Sequence, residues 1–331
     1  MKCALVVGSG SIAKRHIRNL HYLYPNALVI CCSASGRKIL ATDVGADRIA
    51  ETLQSAILAE PDVAIVASPA SYHLRHASII IAAGIPVLIE KPLCAELSEL
   101  SGFKFIKVKH KIAVGYNLRY MPAAKVVKKI IDDGTLGRIS TVFSEVGQYL
   151  PDWRPGTEYR RGVSANKVLG GGALLELSHE LDYLFWFFGD FDEVIARLGF
   201  SKLLDIDVED TVDAIFTNKN GSCFHVHLDF LQRYPSRRFK AVGERGTIVW
   251  NLLANEVVLY GPNESLEVLY RNKDYDRNDM YIEQLSTFLA YANEEGNFES
   301  SISNGVEVMR LIEAMRVSNQ QNSWVKLEAV K

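Results

Sequence analysis

Short apolar runs that no polar residue interrupts recur through the first third of the chain, at residues 4–7, 27–32, 63–67, 87–89 and 112–114. Longer segments with apolar residues at helical spacing, such as 71–83, lie between them. A strand with one wet face alternates apolar and polar residues. A strand that is apolar throughout is buried on both faces, and intervening helices supply the cover. The expected architecture over residues 1–120 is therefore α/β, a doubly wound parallel sheet. Residues 123–131 follow Pro122 with Ala123, Val126, Val127, Ile130 and Ile131 on one stripe, and Gly134 stops them. This helix is expected to lead out of the first domain.

Beyond Gly137 the texture changes. Strand-like stretches follow one another at 139–146, 193–198, 211–217, 222–229, 238–242 and 247–251, some parted by turns such as Asn220-Gly221 and 243–246. They predict an α+β domain over 121–331 with a large, mainly antiparallel, open-faced sheet. Helical segments at about 279–293 and 305–317 close the chain. An uncovered apolar sheet face needs a partner, so a homodimer or homotetramer through this sheet is expected.

Composition narrows the function classes. The 331 residues suffice for two ordinary domains with sizeable cores. The 37 basic and 39 acidic residues nearly cancel and form no like-charge block, which argues against nucleic acid as a partner. No apolar run approaches the roughly 20 residues of a membrane span, and "MKCALVV" runs directly into a strand pattern without a signal-peptide layout. Five cysteines, Cys3, Cys31, Cys32, Cys94 and Cys223, show no metal spacing and no even disulfide framework. A cytoplasmic protein is expected.

"VVGSGSIAKRH" sets Gly8, Gly10 and Ala13 between the first strand and a helix. This is G-x-G-x-x-A in the context that dinucleotide binding needs. Gly8 permits the tight turn, Gly10 lets a pyrophosphate approach the backbone, and Ala13 lets helix and strand pack closely. Ser11 and Ile12, at the helix start, offer N–H groups to phosphate. About 20 residues on, an acid is expected to hold the ribose 2′-hydroxyl of NAD. Here the chain reads "CCSASGRK": Ser33 and Ser35 stand where a carboxylate would, and Arg37 and Lys38 follow. No acid repels a 2′-phosphate and two cations are at hand, so NADP is favoured over NAD.

The strand at 87–89 ends in "EKPL". Alone, these residues read as an exposed charged turn. With the Rossmann start, however, "VLIEKPL" resembles the Gfo/Idh/MocA oxidoreductases, which include glucose–fructose oxidoreductase and myo-inositol dehydrogenase. "SPASYHLRHA" is similar to that family's T-P-N-x-x-H stretch, with Ser68 for Thr, Pro69 in common, Ala70 for Asn and His73 as the histidine. "GYNLRYMPAAKVVKKIIDDGTLGRI", "GGGALLELSHELDYLFWFFGD" and "GERGTI" resemble its linker helix, its substrate-domain helix and a turn of its large sheet. The resemblance implies a Rossmann domain followed by a substrate domain. It implies that Ser68, Pro69, His73, Glu90, Lys91 and Pro92 border the cofactor, that Lys91 reaches the oxygen being oxidised or reduced, that Glu90 either fixes the lysine or contacts the nicotinamide side, and that the peptide bond before Pro92 is cis.

His179 and Asp182 are three residues apart and so neighbour each other on a helix face. A histidine suits proton transfer to or from a sugar hydroxyl. The resemblance makes His179 the proton carrier, Lys91 the polarising group and Asp182 an orienting or substrate-binding acid. Many relatives carry an acid four residues before this histidine. That position is Leu175 here, and the acid is Glu176 instead.

"QYLPDWRPGTEYRRG" is rich in arginine and aromatic residues, as loops beside a site often are. Arg154, Arg160 and Arg161 are candidates for holding a carboxylate or phosphate. Trp153 and Tyr159 are candidates for stacking on a sugar ring or a base, and Arg119 and Tyr120 for facing the cleft. His225 and His227 alternate with Asp229 on a strand and read as structural, with no metal expected. The expected activity is hydride transfer between NAD(P) and a CH–OH carbon of a sugar or polyol derivative, with an anionic or nucleotide-linked sugar in view. The alternatives are an enzyme that retains its cofactor and uses transient oxidation for elimination or glycoside cleavage, and a non-enzymatic dinucleotide sensor.

Overall fold

Each uninterrupted apolar run of the N-terminal part becomes a strand. In the structure, a computed structural model describing residues 1–103 and 111–330, β1 (Cys3–Val7), β2 (Leu28–Cys32), β3 (Arg48–Ala50), β4 (Val63–Val66), β5 (Val87–Ile89) and β6 (Ile112–Val114) form one sheet in the order β3-β2-β1-β4-β5-β6. Every pairing in it is parallel. β1, β4 and β5 are buried along their whole length, as strands covered on both faces must be. Helices α1 (Ser11–Leu23), α2 (Ala41–Val44), α3 (Leu53–Ile57) and α4 (His73–Ala82) alternate with these strands. On α1 the buried stripe is Ala13, His16, Ile17 and Leu20, at i, i+3, i+4 and i+7. α3 starts where Thr52 and Ser55 cap each other reciprocally. The strand order reverses between β1 and β4, and open α/β sheets bind ligands at that point, beyond the carboxyl ends of the strands.

After α5 (Pro122–Asp132) comes β7 (Ile139–Gly147), then the short α6 (Ala173–Glu176) and α7 (His179–Phe188). β8 (Glu193–Gly199), β9 (Thr211–Thr217), β10 (Cys223–Asp229), β11 (Ser236–Gly243), β12 (Gly246–Asn251), β13 (Glu256–Tyr260) and β14 (Leu266–Arg271) follow. With β15 (Val325–Lys326) they make a nine-stranded sheet, β14-β13-β12-β11-β7-β10-β9-β8-β15. β7 and β10 run parallel; the other pairings are antiparallel. The strands alternate as a one-sided sheet should. Val212, Ala214 and Phe216 of β9 and Phe224, Val226 and Leu228 of β10 are buried, while Asp213 is exposed. On the buried side Tyr183 and Phe187 of α7 pack against Phe239 and Trp250.

Two further helices, α8 (Asp279–Ala292) and α9 (Ile302–Gln321), complete the described elements. They divide the chain differently from the expected split at residue 120. One unit comprises Met1–Asn117 with Arg277–Met309, the other Leu118–Asp276 with Arg310–Lys331. The physical reason is that α8 docks on α1, where Asn19 and Asn278 exchange side-chain hydrogen bonds at 2.9 and 3.3 Å. In addition, Val114 of β6 donates its N–H to the Ser300 carbonyl at 3.0 Å. Among the described residues no helix is long and apolar enough to cross a membrane.

Candidate functional site

The glycine turn follows β1 directly. Gly8 has φ +127°, and a Cβ there would lie 2.3 Å from the carbonyl oxygen of Ala67, at the end of β4. Only glycine allows this approach. Gly10 precedes α1 and provides no side-chain cap, and a Cβ on it would meet nothing within 4 Å. The first N–H groups of α1 therefore open onto free space, as a pyrophosphate site requires. Beside the turn a groove of about 420 Å³ is lined by Ser9, Lys14, Arg37, Lys38, Ile39, Asp43 and Val44. The Arg37 guanidinium donates to Ser9 Oγ at 3.0 Å, which draws the cation after β2 back to the glycine turn. Ser33 Oγ is enclosed with no hydrogen-bond partner among the described residues, and Ser35 is exposed. An orphaned buried hydroxyl, an uncapped helix start and a cation-lined groove fit a dinucleotide. Ser9 and Lys14 were missed in the sequence because Ser9 fills a variable position of the glycine pattern and Lys14 lies just beyond it.

The turns after β4 and β5 are tied together. His73, fully enclosed, sits between two carbonyl oxygens: Nδ1 lies 2.7 Å from Pro92 O and Nε2 2.8 Å from Ser68 O. Burial pulls this imidazole down, against the pull of the two carbonyls upward. His76 Nδ1 lies 3.1 Å from Ser68 Oγ, and burial brings His76 down to about 4. Pro69 starts the turn that leads into α4. The Lys91–Pro92 peptide bond is cis. Lys91 is half-buried, and its backbone N–H faces Glu90 Oε2 at 3.3 Å. Glu90 itself is 7% exposed, and its Oε1 is 2.6 Å from Nε2 of the fully buried His16. His16 ends the quoted glycine stretch, and its place on the buried stripe of α1 was the signal available for it.

The second unit carries the remaining candidates. α7 begins at His179, which is half-buried. Three of its polar residues are sealed in, each against a different element. Glu180 accepts from Arg237 of β11 at 2.7 and 2.9 Å. Asp182 accepts from Arg119 at 3.0 and 2.6 Å. Tyr183 OH meets Ser144 of β7 at 2.6 Å. These contacts fix the helix about its axis and so fix where its first residue stands. Burial pushes the Asp182 carboxyl up, and the Arg119 guanidinium pulls against it. Arg119 is 1% exposed and Asp182 0%, so the two expected ligand residues are committed to each other within the core. Tyr120 is likewise buried. Glu176 ends α6 and His179 starts α7, so these two lie on separate short helices and the three-residue spacing does not put them on one helix face. α6 is fixed by Glu209, whose carboxylate accepts from the Leu174 N–H at 3.0 Å and fills the space that a Cβ on Gly172 would need. Burial pushes Glu209 up.

The arginine-rich loop is more internally satisfied than its composition suggests. The Arg160 fork is held by Glu158 at 2.8 Å on both arms and by Asp205 at 3.2 Å. That pairing holds Glu158 down at about 2. Trp153 packs edge-on to Phe230 and donates to Gln148 O at 3.1 Å. Tyr159 lies under the Arg160 guanidinium. Arg154 and Arg161 are exposed and form no ion pair among the described residues. On the far sheet face His225 stacks on Phe143 at 4.8 Å. His227 bridges Asp213 at 2.7 Å and Asp229 at 3.0 Å, and these carboxylates, Asp229 first, hold it up at about 9.

Comparison with known proteins agrees along most of the chain. A family model described as an oxidoreductase family with an NAD-binding Rossmann fold matches residues 2–117, and one described as the GFO/IDH/MocA C-terminal domain matches residues 124–249. Levoglucosan dehydrogenase of Pseudarthrobacter phenanthrenivorans is 26% identical over 83% of this chain and 82% of that protein. An inositol 2-dehydrogenase of Gluconacetobacter diazotrophicus is 26% identical over 60% of this chain and 57% of that protein. An uncharacterized oxidoreductase of Synechocystis matches at 27%, and there too the chain spans only 56% of the relative's length. Among solved structures, levoglucosan dehydrogenase in complex with NADH and levoglucosan superposes with a TM-score of 0.84 at 22% identity, covering 98% of this chain and 99% of that one. The WlbA dehydrogenase of Bordetella pertussis, in complex with NADH and UDP-GlcNAcA, superposes with a TM-score of 0.79 at 20% identity, covering 98% and 99%. At these identities the structural likeness is one of fold.

Proposed function

The chain belongs to the Gfo/Idh/MocA oxidoreductases, and from that premise we propose that it transfers a hydride between a nicotinamide dinucleotide and the CH–OH carbon of a sugar or polyol derivative. The observation that carries this reading is the glycine turn at the reversal of strand order. There Gly8 packs on Ala67, α1 starts without a side-chain cap, and Arg37 folds back onto Ser9.

When bound, the nicotinamide ring supplies the hydride acceptor or donor. The chain's own residues manage the oxygen. In oxidation the hydroxyl loses its proton as hydride leaves the carbon, and in reduction it gains one. Lys91 is assigned to polarising that oxygen and His179 to carrying its proton. Asp182 acts on His179 through the fold, by fixing α7 against Arg119. Glu176 and the Trp153–Arg161 loop are assigned to the substrate, and any anionic group on it falls to Arg154 and Arg161, because Arg160 is engaged by Glu158 and Asp205. The preferred cofactor is NADP. Ser33 and Ser35 leave the ribose 2′ position without a carboxylate after β2, and Arg37, Lys38 and Lys14 line the adjoining groove. A homo-oligomer through the exposed face of the nine-stranded sheet completes the proposal.

The test is a thermal-shift titration of stripped protein with NAD⁺, NADP⁺ and their reduced forms. A ligand at about 100 times its Kd adds roughly 2.7 kcal/mol of stability. NADP(H) is expected to act at far lower concentration than NAD(H), and the Arg37→Ala/Lys38→Ala variant to erase that difference. Lys91→Ala is expected to keep the dinucleotide shift and lose turnover. Lack of a shift with all four dinucleotides would refute the cofactor reading, and normal turnover by Lys91→Ala would refute the assigned chemistry.

A further inference from the structure

We propose that His16 is a positioning residue for Lys91: it captures the neighbouring Glu90 carboxylate and so keeps that charge off the lysine side chain. This rests on the reading that Lys91 polarises the substrate oxygen.

A glutamate next to a lysine in sequence is a source of opposite charge within the lysine's reach. An opposite charge within about 4–6 Å favours the charged form of an amine and competes for its hydrogen bonds. The structure engages Glu90 from several sides. His16 Nε2 meets Glu90 Oε1 at 2.6 Å. The other ring nitrogen of His16 has no hydrogen-bond partner among the described residues, so the ring's hydrogen bonding is committed to this carboxylate. Gly115 backs the other oxygen: a Cβ there would stand 3.0 Å from Glu90 Oε2. A Cβ there would crowd the carboxylate, so glycine leaves it room. Tyr281 of α8 also faces this charge: after burial, the Glu90 carboxylate is the main cause that lifts its phenol. Tyr281 is held in turn by the Asn117 side chain and by the Arg15 guanidinium, 4.4 Å from its ring centre. Elements from α1, the β6 turn and α8 thus converge on one side chain that no assigned catalytic role uses.

A pair that serves stability alone would leave the reactivity of Lys91 unchanged when it is broken. The experiment is competitive acetylation of the whole folded protein by trace acetic anhydride, read by mass spectrometry at Lys91 relative to the exposed lysines. His16→Asn is too short to reach Glu90, whereas His16→Gln keeps a donor near the position of Nε2. With His16→Asn the released carboxylate turns to Lys91, and labelling there is expected to fall by about threefold or more. His16→Gln is expected to stay within about twofold of the parent protein, and His16→Asn/Glu90→Gln to return to it. Unchanged Lys91 labelling in folded His16→Asn overturns the proposal. Should His16→Asn not fold, Glu90→Gln alone decides. Labelling within about twofold of the parent supports capture by His16, and a rise of about threefold or more shows that the carboxylate was already on Lys91 and overturns it. Neither result depends on turnover, so failure here is distinct from failure of the oxidoreductase reading, which Lys91→Ala and the dinucleotide titration test.

Discussion

Replacing Asp182 by Ala leaves the Arg119 guanidinium charged, 1% exposed and without the carboxylate that takes both its Nε and its Nη2. Its contact with the Trp186 ring, 5.5 Å from the centroid, supplies a weak cation–π attraction of about 0.5–2 kcal/mol. Breaking a buried pair by removing one partner costs about 3–5 kcal/mol. For a unit of this size each kcal/mol lowers Tm by roughly 2–4 °C, so the expected fall is about 6–20 °C. Replacing both partners, in Arg119→Met/Asp182→Leu, buries no unpaired charge and is expected to recover most of that loss. Tryptophan fluorescence is the suitable assay, because Trp153, Trp186, Trp250 and Trp324 all belong to the unit formed by Leu118–Asp276 and Arg310–Lys331. A fall in Tm below about 2 °C for Asp182→Ala, or a double variant as unstable as the sum of the two single ones, would refute the reasoning.

Gly8→Ala places a methyl group 2.3 Å from the Ala67 carbonyl at a φ of +127°. A loss of about 1–3 kcal/mol, typical of overpacking, is expected together with a diminished dinucleotide-induced shift; a fully stable variant with the parent's shift would show that the turn does not need glycine. His227 is held up at about 9 by Asp229 and Asp213. Its folded value lies above the unfolded one near 6.5, so its contribution is present in full below about pH 6.5 and fades as pH rises through about 9. The side chain is 41% exposed, so screening keeps the effect below about 1 kcal/mol. The Tm difference between the parent protein and His227→Gln is expected to be larger at pH 6 than at pH 10; equal differences would contradict this assignment.

How much of this was legible in the sequence depends on whether a feature is local. β1, β4 and β5 were readable because burial on both faces leaves an unbroken apolar run. The glycine turn was readable because its constraints fall within six residues, and α5 because Pro122 and Gly134 bracket one stripe. β3, with exposed Arg48, and the edge strand β14, with Leu266, Glu267 and Val268 exposed, lack that signature. Pairings across the chain left no trace in spacing. Nothing near Glu90 announces His16, nothing near Arg160 announces Asp205, and nothing in 279–293 announces that α8 docks on α1. The break between α6 and α7 at Leu177-Ser178 had no signal in the spacing of Glu176 and His179. A buried ion pair such as Arg119–Asp182 looks, in sequence, like two residues offered to a ligand.

The contacts around the sheet's carboxyl edge close into a ring. Gly8 leans on Ala67; the neighbouring Ser68 is tied through His73 to Pro92; the EKP turn returns through Glu90 to His16; and α1 leads back to Gly10. A closed loop of constraints has no free end at which a local displacement can be absorbed. Shifting any one turn must strain the others, so damage at two of these links should be less than additive: once the loop is opened, the second cut releases little that the first had not. In mechanical terms the three turns behave as one hoop rather than as three independently hinged fingers.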